Sequence, residues 1–114
     1  MMTLYGISNC DTVRKARRWL EGHGIDYRFH DFRKDGLTRE QILQWLEQLD
    51  WKALINTRGR TWRQLSGDGK AALHETAAID LMLEHPAIIK RPLLDYNGQY
   101  HLGFSDAGYR RICC

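Results

Sequence analysis

A chain of 114 residues with 17 Lys and Arg against 14 Asp and Glu carries a formal net charge of +3, and it is long enough to bury one core without disulfide or metal staples. So slight a positive excess gives no reason to expect nucleic acid, and it suits a small anionic substrate. No apolar run approaches the ~18 residues that a membrane span requires, and the chain enters a strand pattern directly after Met1 with nothing like a leader, so cytoplasmic residence is expected.

Thr3, Leu4, Tyr5, Gly6 and Ile7 read as a short apolar strand, Ser8 and Asn9 as a polar bend, and the residues after Cys10 as a helix. Val13, Ala16 and Leu20 fall at i, i+3 and i+7 on one helical face. Asn9 and Asp11 are good capping types at its start, and Gly22 and Gly24 supply a left-handed stop. Arg14, Lys15, Arg17 and Arg18 lie on other faces, and Arg17 and Arg18 have the pattern of a solvated helix surface. From Ile25 to Phe32 apolar and polar residues alternate, the period of a half-buried strand. Two strands joined through a helix by short connections are expected to be parallel, and Asp35 with Gly36 closes this βαβ unit.

Thr38-Arg39-Glu40-Gln41 has the capping-box pattern and opens a second helix with Ile42, Leu46 and Leu49 on one face. Trp51 to Leu65 reads as a short helix, a polar loop and another helical turn. Ser66 to Gly69 marks a loop, with Gly67-Asp68-Gly69-Lys70 a turn and not a phosphate loop. Ala71 to Glu84 is again helical, with Leu73, Ala77, Ile79 and Leu81 directed inward and Pro86 ending it. Ile88 to Leu94 and Tyr100 to Phe104 flank Asn97-Gly98, a strong hairpin signature. Pro92 belongs at a strand start, an edge or a cis bend. Ser105 and Asp106 cap a last helix, Ala107 to Ile112.

This order predicts an α/β fold in a single domain, residues 1–114: a mixed four-stranded sheet with flanking helices and an inserted helical region at roughly 37–85. That arrangement is thioredoxin-like.

Cys10 falls where the first strand hands over to the first helix. There the unpaired N–H groups of the helix start, the positive end of its dipole and nearby cations all favour a thiolate. The remaining cysteines, Cys113 and Cys114, are adjacent near the C-terminus, where they are expected to fray. An odd count without framework spacing argues for a reducing compartment. The five histidines are scattered without ligand spacing, so no metal is expected. Asn9, Asp11 and Thr12 surround the thiol in sequence, and Arg14 and Lys15 lie near enough to attract an anionic group.

Tyr5-Gly6-Ile7-Ser8-Asn9-Cys10 with Arg14-Lys15-Ala16, then Leu83-Glu84-His85-Pro86 leading into Ile89-Lys90-Arg91-Pro92-Leu93-Leu94, and finally Gly103-Phe104 resemble the arsenate reductase/Spx family, in particular its YffB-like branch. The resemblance spans nearly the whole chain, with motifs at both ends in the same order. It implies a thioredoxin-like fold with an inserted helical region. It also implies a protein that either reduces arsenate with glutathione and glutaredoxin or regulates transcription by binding RNA polymerase. The family's catalytic cysteine carries over onto Cys10 and the arginine before its proline onto Arg91, with Pro92 where thioredoxin folds place a cis-proline beside the thiol.

Two departures bear on activity. Arsenate reductases of this type hold the oxyanion with further arginines, and Asn56 and Gly103 stand at two of those positions, with Arg58 or Arg60 nearby as substitutes. Spx regulators carry a CxxC switch, whereas the run here is Cys10-Asp11-Thr12-Val13. The expected activity is therefore a glutathione-dependent thiol oxidoreductase that uses Cys10 and Arg91, with Asn9, Asp11, Thr12, Arg14, Lys15, Arg58 and Pro92 holding glutathione or substrate. No cofactor is bound in this reading; glutathione is the co-substrate, and glutaredoxin and a thiol or disulfide substrate are the partners, with no direct nucleic acid and no membrane. Arsenate reduction and Spx-like docking on RNA polymerase remain as alternatives.

Overall fold

The structure, a computed structural model, describes residues 2–57, 59–64 and 74–113, and at 60 and 61 the backbone alone. Arg58, Leu65, the loop and turn expected over 66–70, the expected helix start at Ala71 with Leu73, and Cys114 lie outside the described residues. In chain order the elements are β1 (Met2–Gly6), α1 (Asp11–Gly22), β2 (Tyr27–Asp31), α2 (Arg39–Leu46), α3 (Trp51–Leu54), α4 (Arg60–Gln64), α5 (Glu75–Glu84), a 3-10 turn (Pro86–Ile88), β3 (Leu93–Tyr96), β4 (Gln99–Leu102) and α6 (Asp106–Cys113). They fall into two compact units, one formed by Met1–Gly36 with Arg91–Cys114 and one by Leu37–Lys90.

The first unit holds a mixed four-stranded sheet in the order β2-β1-β3-β4, a thioredoxin-like α/β arrangement. β1 runs parallel to β2, in register from Met2 opposite Tyr27 to Gly6 opposite Asp31, and antiparallel to β3 with Leu4 opposite Leu94. β3 and β4 form the expected hairpin. Asn97 and Gly98 turn it at φ values of 50° and 92°, a conformation that asparagine and glycine tolerate best. Both strands of the βαβ unit are shorter than the apolar patterns. Ile7 leaves β1 yet stays buried, and Ile25 and Phe32 lie outside β2. β4 likewise begins at Gln99 and stops at Leu102.

α1 buries Val13, Ala16, Trp19 and Leu20. Ala16, Trp19 and Leu20 meet Met2, Leu4 and Leu94 of the sheet and Tyr109 of α6 in one core. Trp19 extends the stripe read from the sequence. Its indole packs edge-on against Tyr109 at 5.5 Å, and its Nε1–H donates to Asp106 at 2.6 Å. The helix ends in a Schellman motif, with Ile25 N donating to Leu20 O at 3.0 Å and Gly24 N to Glu21 O at 3.1 Å. Gly24 takes the left-handed position, φ +65°, that glycine alone occupies at no steric cost. Arg17 is not a solvated cation: its guanidinium lies 4.1 Å from the Phe29 ring centroid and its Nε donates to Tyr27 at 2.9 Å.

In the second unit Thr38 closes the predicted capping box. Gln41 N donates to Thr38 Oγ1 at 3.2 Å and Thr38 N to Gln41 Oε1 at 3.0 Å. The buried stripe of α2 is Ile42 and Trp45, while Leu46 and Leu49 are half-buried; the bulk of Trp45 centres the stripe one residue earlier than the leucines suggest. In α5 the buried residues are Ala78, Ile79 and Met82, and Ala77 and Leu81 sit at the margin. An Arg39–Asp80 ion pair links α2 and α5. Ile55 and Ile89 form an isolated antiparallel bridge, secured by Asn56 N to Ile88 O and Lys90 N to Leu54 O, each at 2.7 Å. Among the described residues no helix is long and apolar enough to cross a membrane.

Candidate active site

The site is assembled at the end of the sheet where β1 and β2 both finish. Beyond Gly6 the chain turns through Ser8 and Asn9, and Cys10 N donates to Ile7 O at 3.2 Å. Cys10 is itself the N-cap of α1, extended at φ −102°, ψ 127°, and its carbonyl accepts the first helical bond from Arg14 N at 3.0 Å. The capping types expected to fill this role, Asn9 and Asp11, flank it instead. At this N-cap the acceptor that the free N–H groups of the first turn call for is the thiolate.

Burial pushes the half-buried Cys10 thiol up, but the Val13 N–H, the Arg91 guanidinium and the Thr12 N–H outweigh it and hold the thiol below its ordinary range. These are the orphan donors of a helix start and one fixed cation, as the junction in the sequence predicts. Arg91 reaches Cys10 because it lies two residues before the start of β3, the antiparallel neighbour of β1. The Arg91–Pro92 peptide bond is cis and Pro92 is buried. The Pro92 carbonyl accepts from Gly103 N at 2.9 Å, with Gly103 at φ +80°.

The structure therefore brings together Cys10, Arg91 and the backbone of Thr12 and Val13. Asn9, Asp11, Thr12 and Lys15 present exposed side chains around this point. Arg14 is engaged by Asp11 at 2.6 Å, so its charge is shared with a neighbour that was also a candidate ligand. Arg58 lies outside the described residues. Asn56 lines a cavity of about 390 Å³ in the second unit with Lys52, Ala53, Ile55, Thr57 and Lys90. Among the described residues no cluster of three or more His, Cys, Asp or Glu could hold a metal ion.

Asp31, at the end of β2, was not singled out from the sequence. It is 3% exposed, the one charged residue in the interior among the described residues. Its Oδ2 accepts from Ser8 N at 3.2 Å, and its Oδ1 from Arg33 N at 2.8 Å and Lys34 N at 3.3 Å. Burial pushes its carboxyl up, but these N–H groups and the Ser8 hydroxyl hold it below the usual carboxylate range. A cue does exist in the sequence: the inward series Ile25, Tyr27, Phe29 continues by alternation to Asp31, and a carboxylate on a buried face requires partners.

Comparison with known proteins agrees with the fold. A protein of Haemophilus influenzae is 42% identical over 110 residues, covering 96% of each chain. The global transcriptional regulator Spx of Lactiplantibacillus plantarum is 29% identical over 115 residues, covering 98% of this chain and 86% of its own. The solved structure of a YFFB protein superposes with a TM-score of 0.95 at 40% identity, covering 100% of both chains. A match to the ArsC family runs from residue 5 to residue 112, which takes in Cys10, Arg91 and Pro92. Because that match takes in nearly the whole chain, the chain belongs to the ArsC family.

Proposed function

We propose that the protein is a glutathione-dependent thiol oxidoreductase working through the single nucleophile Cys10, as one thioredoxin-like domain with a helical insertion at roughly 37–85. The observation that supports this most is the set of donors around the Cys10 sulfur, Val13 N–H, Arg91 and Thr12 N–H, since the thiolate is the form that attacks disulfides. Family membership supports redox chemistry in general; the glutathione step is our own reading.

In this mechanism the Cys10 thiolate attacks the glutathione sulfur of a mixed disulfide between glutathione and a substrate thiol. The S–S bond of that disulfide breaks, a Cys10–glutathione disulfide forms, and the substrate leaves as a thiolate that takes a proton from water. A second glutathione thiolate then attacks the glutathione sulfur on Cys10, which releases oxidised glutathione and restores the Cys10 thiolate. The substrate sulfur is reduced and two glutathione molecules are joined. The helix-start N–H groups and Arg91 stabilise Cys10 both as nucleophile and as leaving group. Lys15, with Asn9, Asp11, Thr12, Arg14 and Pro92 around the thiol, contacts the glutathione moiety, and glutaredoxin is a candidate partner for the second step.

The test is turnover of a glutathionylated peptide with reduced glutathione, followed by release of the peptide thiol. Cys10→Ser should abolish it and trap no glutathione by mass spectrometry, while Cys113→Ser/Cys114→Ser should retain it. Full activity in Cys10→Ser sinks the proposal.

A further inference from the structure

Ser8 and Asn9 make the bend that sets Cys10 at the start of α1, and in the first unit that bend is held from β2. Asp31 lies directly across the parallel register from Gly6, the last residue of β1. From there one carboxylate reaches both sides of the junction: Oδ2 takes Ser8 N at 3.2 Å, while Oδ1 takes Arg33 N at 2.8 Å and Lys34 N at 3.3 Å. Asp31 N donates in turn to Asp35 at 2.9 Å, and Phe32 N donates to Gly6 O at 2.9 Å. This buried carboxylate accepts from backbone N–H groups and the Ser8 hydroxyl; among the described residues no cationic side chain forms an ion pair with it. Only an ionised carboxylate accepts from two sides with both oxygens, and an interior charge of this kind is retained at the expense of desolvation.

We propose that Asp31 is a positioning residue for the reactive thiol: by tying the Ser8–Asn9 bend to the end of β2, its carboxylate fixes where Cys10 meets the Thr12 and Val13 N–H groups and Arg91. The proposal rests on Cys10 as the reactive group, but not on glutathione as its partner. In D31N the amide presents one acceptor and one donor, so either Ser8 N or the Arg33 and Lys34 N–H groups face an NH₂ group. The bend is then released on one side.

The experiment is the pH dependence of Cys10 alkylation by iodoacetamide in full-length protein carrying Cys113→Ser/Cys114→Ser, so that one thiol reports, with and without D31N. Positioning predicts that D31N moves the alkylation midpoint to higher pH and slows the reaction several-fold at mildly acidic pH, leaving the high-pH plateau unchanged. If Asp31 acted on Cys10 only as a nearby negative charge, its removal would move the midpoint to lower pH, and the proposal falls. An unchanged midpoint with a lower melting temperature assigns Asp31 to stability alone and also overturns it.

Should D31N not fold, hydrogen exchange on the parent protein decides. The Ser8 amide should be protected to the degree of the Phe32 amide, and exchange at the rate of an open loop refutes the clamp. An ordinary thiol midpoint in the parent would instead count against Cys10 as an activated nucleophile, independently of whether the Ser8 amide is protected.

Discussion

Replacing Gly6 with alanine should loosen the molecule at the place where its helix meets its sheet. A Cβ at residue 6 would stand 2.8 Å from Val13 Cγ2 and 3.3 Å from Cγ1, closer than carbon atoms pack. Val13 has no room to yield: it is 0% exposed, and a β-branched side chain in a helix is confined essentially to one rotamer. The helix must therefore lift from the strand. Overpacking of this kind costs about 1–3 kcal/mol, and the reduced freedom of the unfolded chain offsets about 0.4–1 kcal/mol of it. A net loss of about 1–2 kcal/mol corresponds to a fall of roughly 4–8 °C in Tm for a domain of this size. Urea unfolding followed by far-UV circular dichroism measures it.

The decisive control is the double-mutant cycle with Val13→Ala. That change alone removes two methyl groups, about 1.6 kcal/mol of transfer free energy plus a cavity contribution. The new methyl at residue 6 should fill part of that space, so the double variant should be more stable than the sum of the single changes by about 1 kcal/mol. Strict additivity, or a Gly6→Ala variant as stable as the parent, would refute the reasoning. Because α1 carries Cys10 at its start, Gly6→Ala should also slow Cys10 alkylation at neutral pH.

Two further predictions concern titration and the core. The Cys10 thiol is held below its ordinary range in the folded state, so its contribution to stability grows as pH rises through the folded pKa, is complete above the unfolded value of about 8.5, and is lost as pH falls. The stability of the parent relative to Cys10→Ala should accordingly increase from mildly acidic to mildly alkaline pH in paired urea titrations; a flat difference contradicts the depressed pKa. The Tyr109 hydroxyl is buried without a hydrogen-bond partner among the described residues, and burial drives its pKa upward. Removing an unsatisfied buried group relieves about 1–3 kcal/mol, so Tyr109→Phe should raise Tm in differential scanning fluorimetry, and a drop of several degrees would show that the hydroxyl is satisfied.

The features legible in the sequence were those written in local chemistry. The capping box at Thr38, the Asn97-Gly98 turn and the Gly24 stop each specify a backbone geometry within a few residues, and each is found where its pattern stands. The junction at Cys10 was readable for the same reason, since a strand, a bend and a helix start follow one another without interruption. Arg91 was another matter. Nothing in its own surroundings distinguishes it from a surface charge, and only the resemblance of the motif before Pro92 placed it beside the thiol.

What escaped was decided by packing. Trp19 and Trp45 take inward positions that the leucine spacing alone did not assign, because a large indole shifts the centre of a buried stripe. Arg17 of α1 turned onto Phe29, which belongs to β2. Asp31 was missed because its partners, the amides of Ser8, Arg33 and Lys34, are backbone groups that leave no trace in residue identity.

The pairing of β1 with β3 joins two parts of the chain that lie far apart in sequence. Cys10 follows the end of β1 and Arg91 precedes the start of β3, so the antiparallel pairing that sets Leu4 opposite Leu94 also sets the thiol and the guanidinium side by side. The segment Leu37–Lys90, a compact unit of its own, enters the sequence between them without supplying either. A two-residue slip between β1 and β3, about 7 Å along the strand, would part Cys10 from Arg91, so the register of that one strand pair decides whether the guanidinium stands beside the sulfur.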